Sequence, residues 1–128
     1  MEALAVVTIL ILIEYFVFAA LVGKARVQHG VKAPNTSGPA EFERYFRVHQ
    51  NTLEQLMLLL PSMWIFGYYV NSLIGAGLGV VFLVARVLYV RGYVAEPEKR
   101  GLGFMVGFLA SAVLMLGGLI GALVAWIR

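Results

Sequence analysis

Apolar residues in this chain fall into four long runs separated by short polar breaks. Residues 3–22 carry a single charge, Glu14, and are about as long as the roughly 20 residues a helix needs to cross a bilayer. The absence of a basic stretch before this run, with Lys24 and Arg26 closing it, argues for a retained first helix over a cleaved signal. Residues 24–40 form a polar connection that includes His29, Lys32, Pro34 and the turn run Asn35-Thr36-Ser37-Gly38-Pro39. A second helix starts at Pro39, with Glu41 and Glu43 in a first turn where the helix dipole favours acids. Its second half, residues 56–70, is uncharged, and Pro61 is expected to kink it. Val70-Asn71-Ser72 is so short a break that the third helix must return antiparallel beside the second. The polar turn Glu96-Pro97-Glu98-Lys99-Arg100 precedes a last uncharged run. The pattern predicts helices near residues 3–23, 39–69, 73–94 and 101–127 in one domain spanning 1–128.

Composition places these helices in a membrane. Of 128 residues, 61% are hydrophobic and only 13% charged, more apolar surface than a soluble domain of this size can bury. The expected fold class is an all-α integral membrane protein, a four-transmembrane-helix bundle. Cysteine is absent and only His29 and His49 are present, which excludes disulfides and thiolate sites and leaves no expected metal. A net charge of +3 fits membrane topology better than nucleic acid. Five of the ten basic residues (Lys24, Arg26, Lys32, Arg44, Arg47) flank the first connection and four (Arg86, Arg91, Lys99, Arg100) flank the third. The positive-inside bias then puts both connections in the cytoplasm and both termini on the opposite side. Gly75/Gly79, Gly103/Gly107 and Gly117/Gly121 are spaced for close helix packing or oligomerisation.

Chemistry concentrates at that cytoplasmic end. Arg47, Asn51 and Glu54 recur at i, i+4 and i+7 and form one stripe on the second helix. Arg86, Tyr89 and Tyr93 form a matching stripe on the third. Snorkelling arginines and an interfacial tyrosine belt account for each residue singly, but a belt has no need of Asn or Glu. The set suits a small zwitterionic anion: guanidinium forks take carboxylates, Glu54 takes an ammonium, and Asn51 donates and accepts. Arg100 adds a positive charge at the rim. A guanidinium beside a thiol favours the thiolate, and a two-unit depression from a pKa near 8.5 needs roughly 2.7 kcal/mol. Glu41, Glu43 and Arg44 read as serving the helix start and the membrane surface.

The run FERYFRVHQNTLE, followed by ARVLYVRGY and then Arg100, resembles the membrane-associated proteins in eicosanoid and glutathione metabolism (MAPEG). That family includes microsomal glutathione transferases, leukotriene C4 synthase and the five-lipoxygenase-activating protein. The resemblance covers nearly the whole chain. It implies a homotrimer of four-helix protomers, with glutathione bound between subunits near the cytoplasmic face. It also implies that Arg47, Asn51, Glu54, Arg86, Tyr89 and Tyr93 bind glutathione, and that Arg26 and His49 reach it from the adjacent subunit. Arg100 matches the arginine that stabilises the thiolate. Three positions depart from the pattern: His49 stands for glutamine, Gln55 for tyrosine and Met57 for proline.

The leading expectation is a membrane-bound glutathione transferase that adds the thiolate to lipophilic electrophiles, with reduction of lipid hydroperoxides as a second activity. The acceptor would enter from the bilayer through a cleft built from residues such as Trp64, Phe66 and the face of the fourth helix. A non-catalytic lipid-binding or scaffold member of the same family is the first alternative. A second is a small proton-coupled exporter using Glu14, an acid in mid-helix that reads either as such a site or as a buried structural group.

Overall fold

A computed structural model describes the backbone of all 128 residues and every side chain except that of Pro97. The chain forms α1 (Glu2–His29), α2 (Ala40–Tyr69), α3 (Ser72–Ala95), a 3-10 turn over Pro97–Arg100, and α4 (Gly101–Ile127). Three spans, Glu2–His29, Ser72–Ala95 and Glu98–Ile127, are long and apolar enough to cross a membrane. The fourth helix of the bundle, α2, is as long but divided, with its charges in the first half. Side chains such as Ile13, Phe16, Val84, Leu116 and Ile120 point outward. An apolar exterior on helices of this length belongs against lipid. The fold is an all-α, four-helix integral membrane bundle.

The second, third and fourth helices begin within a residue of where the polar breaks predict, but α1 does not stop where expected. It continues six residues past 23, through Lys24 and Arg26 to His29, and ends at Gly30. There the backbone turns left-handed (φ 65°), and Val31 N–H donates to Arg26 O at 3.0 Å. This is the glycine stop that satisfies otherwise orphaned carbonyls. Residues 24–29, read as connection, are therefore helix that carries α1 beyond its apolar run. The two-residue link between α2 and α3 is closed by Asn71, whose Oδ1 accepts from Ile74 N–H at 2.9 Å. The α2 helix runs unbroken through Pro61.

The two middle helices, α2 and α3, pack against each other, and each also packs against α1 and α4. Leu4, Val7 and Ile11 of α1 meet Leu56, Leu59, Met63 and Phe66 of α2, Ala76 and Phe82 of α3, and Leu114 of α4 in one core. Phe66, expected in a lipid-facing cleft, is instead buried in this core, whereas Trp64 is partly exposed. The Trp64 indole donates to Thr8 Oγ1 at 2.9 Å, and the Thr8 hydroxyl donates to Leu4 O at 2.6 Å. Close approach explains the paired glycines. A Cβ at Gly103 would lie 2.5 Å from Tyr89 N and 2.7 Å from Ala85 O, so α4 rests directly on the α3 backbone. At Gly117 the obstruction would be the Phe66 ring. These glycines serve contacts within the protomer.

Candidate functional site

Local sequence decides which side of α2 is wet. Val48, Thr52, Leu56, Leu59, Met63 and Phe66 recur at helical spacing and are buried. The adjoining stripe, Glu43, Arg47, Gln50 and Glu54, follows the same spacing and faces a cavity of about 700 Å³. That volume lies within the range of about 300–1,000 Å³ typical of small-molecule sites. Its walls also include Phe46 and Asn51 of α2, Tyr89 and Tyr93 of α3, Arg100 before α4, and Thr36 and Ser37 of the first connection. Six of the nine residues expected at the site thus meet in one place: Arg47, Asn51, Glu54, Tyr89, Tyr93 and Arg100. Two guanidiniums and two carboxylates share the cavity, beside two amides and two phenols.

The other three expected residues lie elsewhere. Arg86 is 1% exposed and sits behind the wall. Its Nη2 donates to Asn51 Oδ1 at 3.0 Å and to Thr52 Oγ1 at 2.7 Å. The Thr52 hydroxyl in turn donates to Val48 O at 2.7 Å. Because Asn51 spends its oxygen on Arg86, its amide N–H groups remain for the cavity. Arg26 donates to Asn35 O at 2.7 Å and lies over the Phe42 ring at 5.0 Å. His49 stacks on Tyr15 of α1, centroids 4.6 Å apart and 10° from parallel. Neither Arg26 nor His49 is among the described residues that line the cavity.

Behind and along one wall the charges and rings form a column. The Arg86 guanidinium lies 4.0 Å from the Tyr89 centroid, Tyr89 stacks on Tyr93 at 5.6 Å, and Arg100 lies 5.5 Å from the Tyr93 centroid. Cation–ring contacts of this kind are worth about 0.5–2 kcal/mol each, most where water is excluded. The column links a buried cation on α3 to the cation that precedes α4, and it fixes the ring faces that look into the cavity.

Sequence reasoning missed Glu43, Phe46, Gln50, Thr36 and Ser37. Glu43 and Gln50 lie one helical step from Arg47, and Phe46 one step from Gln50, and they were legible on that basis. Glu43, read as a helix-start acid, instead lines the cavity, and its Oε2 accepts from Gly38 N–H at 3.4 Å, holding the connection to α2. Arg44, read as a surface residue, donates to Val94 O at 3.1 Å and ties α2 to the end of α3. Of the departures from the family pattern, Gln55 buries its Oε1 without a hydrogen-bond partner and Met57 is exposed.

The structure is thus a membrane bundle with a mixed-charge cavity at one end, walled by two neighbouring helices and the turn before the fourth. The chain belongs to the MAPEG family, which it matches over residues 4–120. It is 44% identical over 119 residues to an uncharacterised protein of Synechocystis, covering 93% of this chain and 87% of that protein. It is 38% identical over 118 residues to microsomal glutathione S-transferase 2 of Homo sapiens, covering 92% and 80%. It is 37% identical over 97 residues to leukotriene C4 synthase of Cavia porcellus, covering 76% and 65%.

Proposed function

We propose that the cavity binds glutathione and that the protein transfers it to lipophilic electrophiles arriving from the bilayer. The observation that carries this reading is the juxtaposition of Arg47, Asn51, Glu54, Tyr89, Tyr93 and Arg100 around one space in a chain related to a microsomal glutathione S-transferase. Glutathione presents two carboxylates, an ammonium and a thiol. Arg47 takes a carboxylate, Glu54 takes the ammonium, and the Asn51 amide donates. Arg100, at the rim, holds the thiolate. As the sulfur attacks an electrophilic carbon, a C–S bond forms; in a substitution the leaving group departs with its bonding pair, and in an addition the π pair shifts to the neighbouring atom, which takes a proton from water. With a lipid hydroperoxide the thiolate attacks the distal oxygen and breaks the O–O bond. A second glutathione then resolves the sulfenic acid, giving an alcohol, water and glutathione disulfide.

Assembly and sidedness belong to the same reading. Among the described residues the cavity lining includes none from α1 or from the body of α4, which is compatible with a neighbour closing that side. A homotrimer in which Arg26 and His49 of one subunit approach the cavity of the next completes the site. The basic residues around both connections support a cytoplasmic position for this end, where glutathione is available. The exporter reading loses its motive, because Glu14 is absent from the cavity lining and both its carboxylate oxygens are buried in the protomer.

The test is turnover of purified protein with glutathione and a chromogenic electrophile. Arg100→Ala is expected to lower turnover by about 10²–10³-fold, the usual effect of removing a group that stabilises developing charge, with far less effect on glutathione affinity. Unchanged turnover in that variant overturns the assignment.

A further inference from the structure

Thr36 and Ser37 reach the cavity from a connection, residues 30–39, that is neither helix nor strand. Such a segment lines a site reproducibly only if something fixes it, because ordering each of its residues costs conformational entropy. Four contacts do so here. Val31 is buried in a small core with Val22, Ala25 and Phe42. Asn35 N–H donates to Lys32 O at 2.9 Å and closes a turn. Arg26 Nη1 donates to Asn35 O at 2.7 Å while its guanidinium lies over the Phe42 ring. Gly38 N–H donates to Glu43 Oε2 at 3.4 Å. The connection is a strap tied down at Asn35 and at Gly38, and the two residues between the ties are Thr36 and Ser37.

The second tie depends on a missing side chain. A Cβ at Gly38 would lie 2.7 Å from Val31 Cγ2 and 3.3 Å from Phe42 Cδ1. Valine is stiff about χ1 and Val31 is buried, so this methyl has no easy way to yield. The strap therefore closes on α2 only with glycine at 38. Among the described residues, neither the Thr36 nor the Ser37 hydroxyl is spent on a hydrogen bond within the protein. Glu43, which holds Gly38, lies one helical turn, a rise of about 6 Å, from Arg47 on the same wall.

We propose that Thr36 and Ser37 are ligand-binding residues, whose hydroxyls donate to the carboxylate held by Arg47, and that Gly38, seated against Val31, is the positioning residue that presents them. Gly38 touches no ligand and acts only through the strap. The identity of the carboxylate's owner rests on the glutathione reading, whereas the seating of the strap does not. Arg26 contributes to that seating within its own subunit. It spends one of five N–H donors on Asn35, which leaves the rest for a neighbouring cavity. Gly38 is therefore the cleaner place to break the strap.

The experiment has two arms, both with the full-length protein in lipid nanodiscs. In the first, without ligand, a lysine-specific protease cuts the strap after Lys32. Gly38→Ala is expected to speed cleavage about tenfold, and to have little effect beside Val31→Ala, where the obstructing methyl is gone. Equal rates in the wild type and Gly38→Ala, or additive effects with Val31→Ala, overturn the positioning role. In the second arm, calorimetry measures the affinity for glutathione and for its two monoamides, each lacking one carboxylate. Thr36→Ala/Ser37→Ala removes only exposed, unbonded hydroxyls and leaves the fold intact. It is expected to weaken glutathione about tenfold, and to cost much less with the monoamide that lacks the carboxylate held by Arg47, because hydrogen bonds to a charged group are about twice as strong. Unchanged affinity for glutathione, or the same loss with both monoamides, overturns the ligand contact. If the wild type binds no glutathione, the functional reading and the contact fall together, while the first arm still decides the seating of the strap.

Discussion

The two halves of α2 share one helix and face opposite demands. From Glu43 to Glu54 the exposed stripe is charged and walls a cavity, and the buried stripe includes Thr52, which serves Arg86. From Leu56 to Phe66 the buried stripe is wholly apolar and fills the middle of the bundle. The difference follows from the solvent outside. Near the membrane surface a polar face can be wet and available to a ligand. In the hydrocarbon the outward face meets lipid tails, and packing, rather than burial from water, holds the helices together. On the proposed function, one helix carries ligand recognition and bundle stability as separable properties.

Substitutions in the two halves should separate in the same way. The largest expected stability effect is in the second half. Leu59→Ala, at a fully buried position, should lower unfolding stability in detergent by about 2–3 kcal/mol. The low end of the usual range is expected because lipid is as apolar as the core, which leaves mainly the cavity cost. Glutathione affinity should stay within a factor of about two, so a large loss of binding would break the separation.

Glu54→Gln should do the reverse. This side chain is exposed and forms no ion pair among the described residues, so the melting temperature should hold. The glutathione dissociation constant should rise about tenfold, the lower end of what a hydrogen bond to a charged group contributes. Calorimetry showing unchanged affinity would remove Glu54 from the site. The smallest effect is expected at Trp64→Phe. It removes the hydrogen bond to Thr8 and should cost about 0.6 kcal/mol in unfolding stability, the mean for such bonds between membrane helices.

Much of this was legible in the sequence because the membrane imposes simple rules. Hydropathy gave four helices, and polar breaks located three of their starts within a residue. The end of α1 was misjudged because a charged stretch reads the same whether it is loop or helix emerging from lipid; Gly30 was the available signal. The i, i+4 spacing put Arg47, Asn51 and Glu54 on one face, and they line one cavity, since neighbours on a helix face stay neighbours in space. Spacing alone did not distinguish Arg86 from Tyr89 and Tyr93. All three share a face of α3, yet how deep each lies depends on where α2 and α4 press. The contributions of Thr36 and Ser37 come from a connection folding back over α2, which no periodicity encodes. Phe66 was assigned to lipid because apolar residues look alike until packing sorts them.

The central claim is that one cavity binds glutathione as its thiolate, with Arg100 supplying the stabilising charge. Ultraviolet difference spectroscopy of the protein titrated with glutathione at neutral pH tests it most directly, because bound thiolate absorbs where thiol does not. A saturable thiolate band in the wild type, absent in Arg100→Ala while calorimetry still detects binding, is the predicted result. Binding with no thiolate band in the wild type, or a band of equal strength in Arg100→Ala, would contradict it.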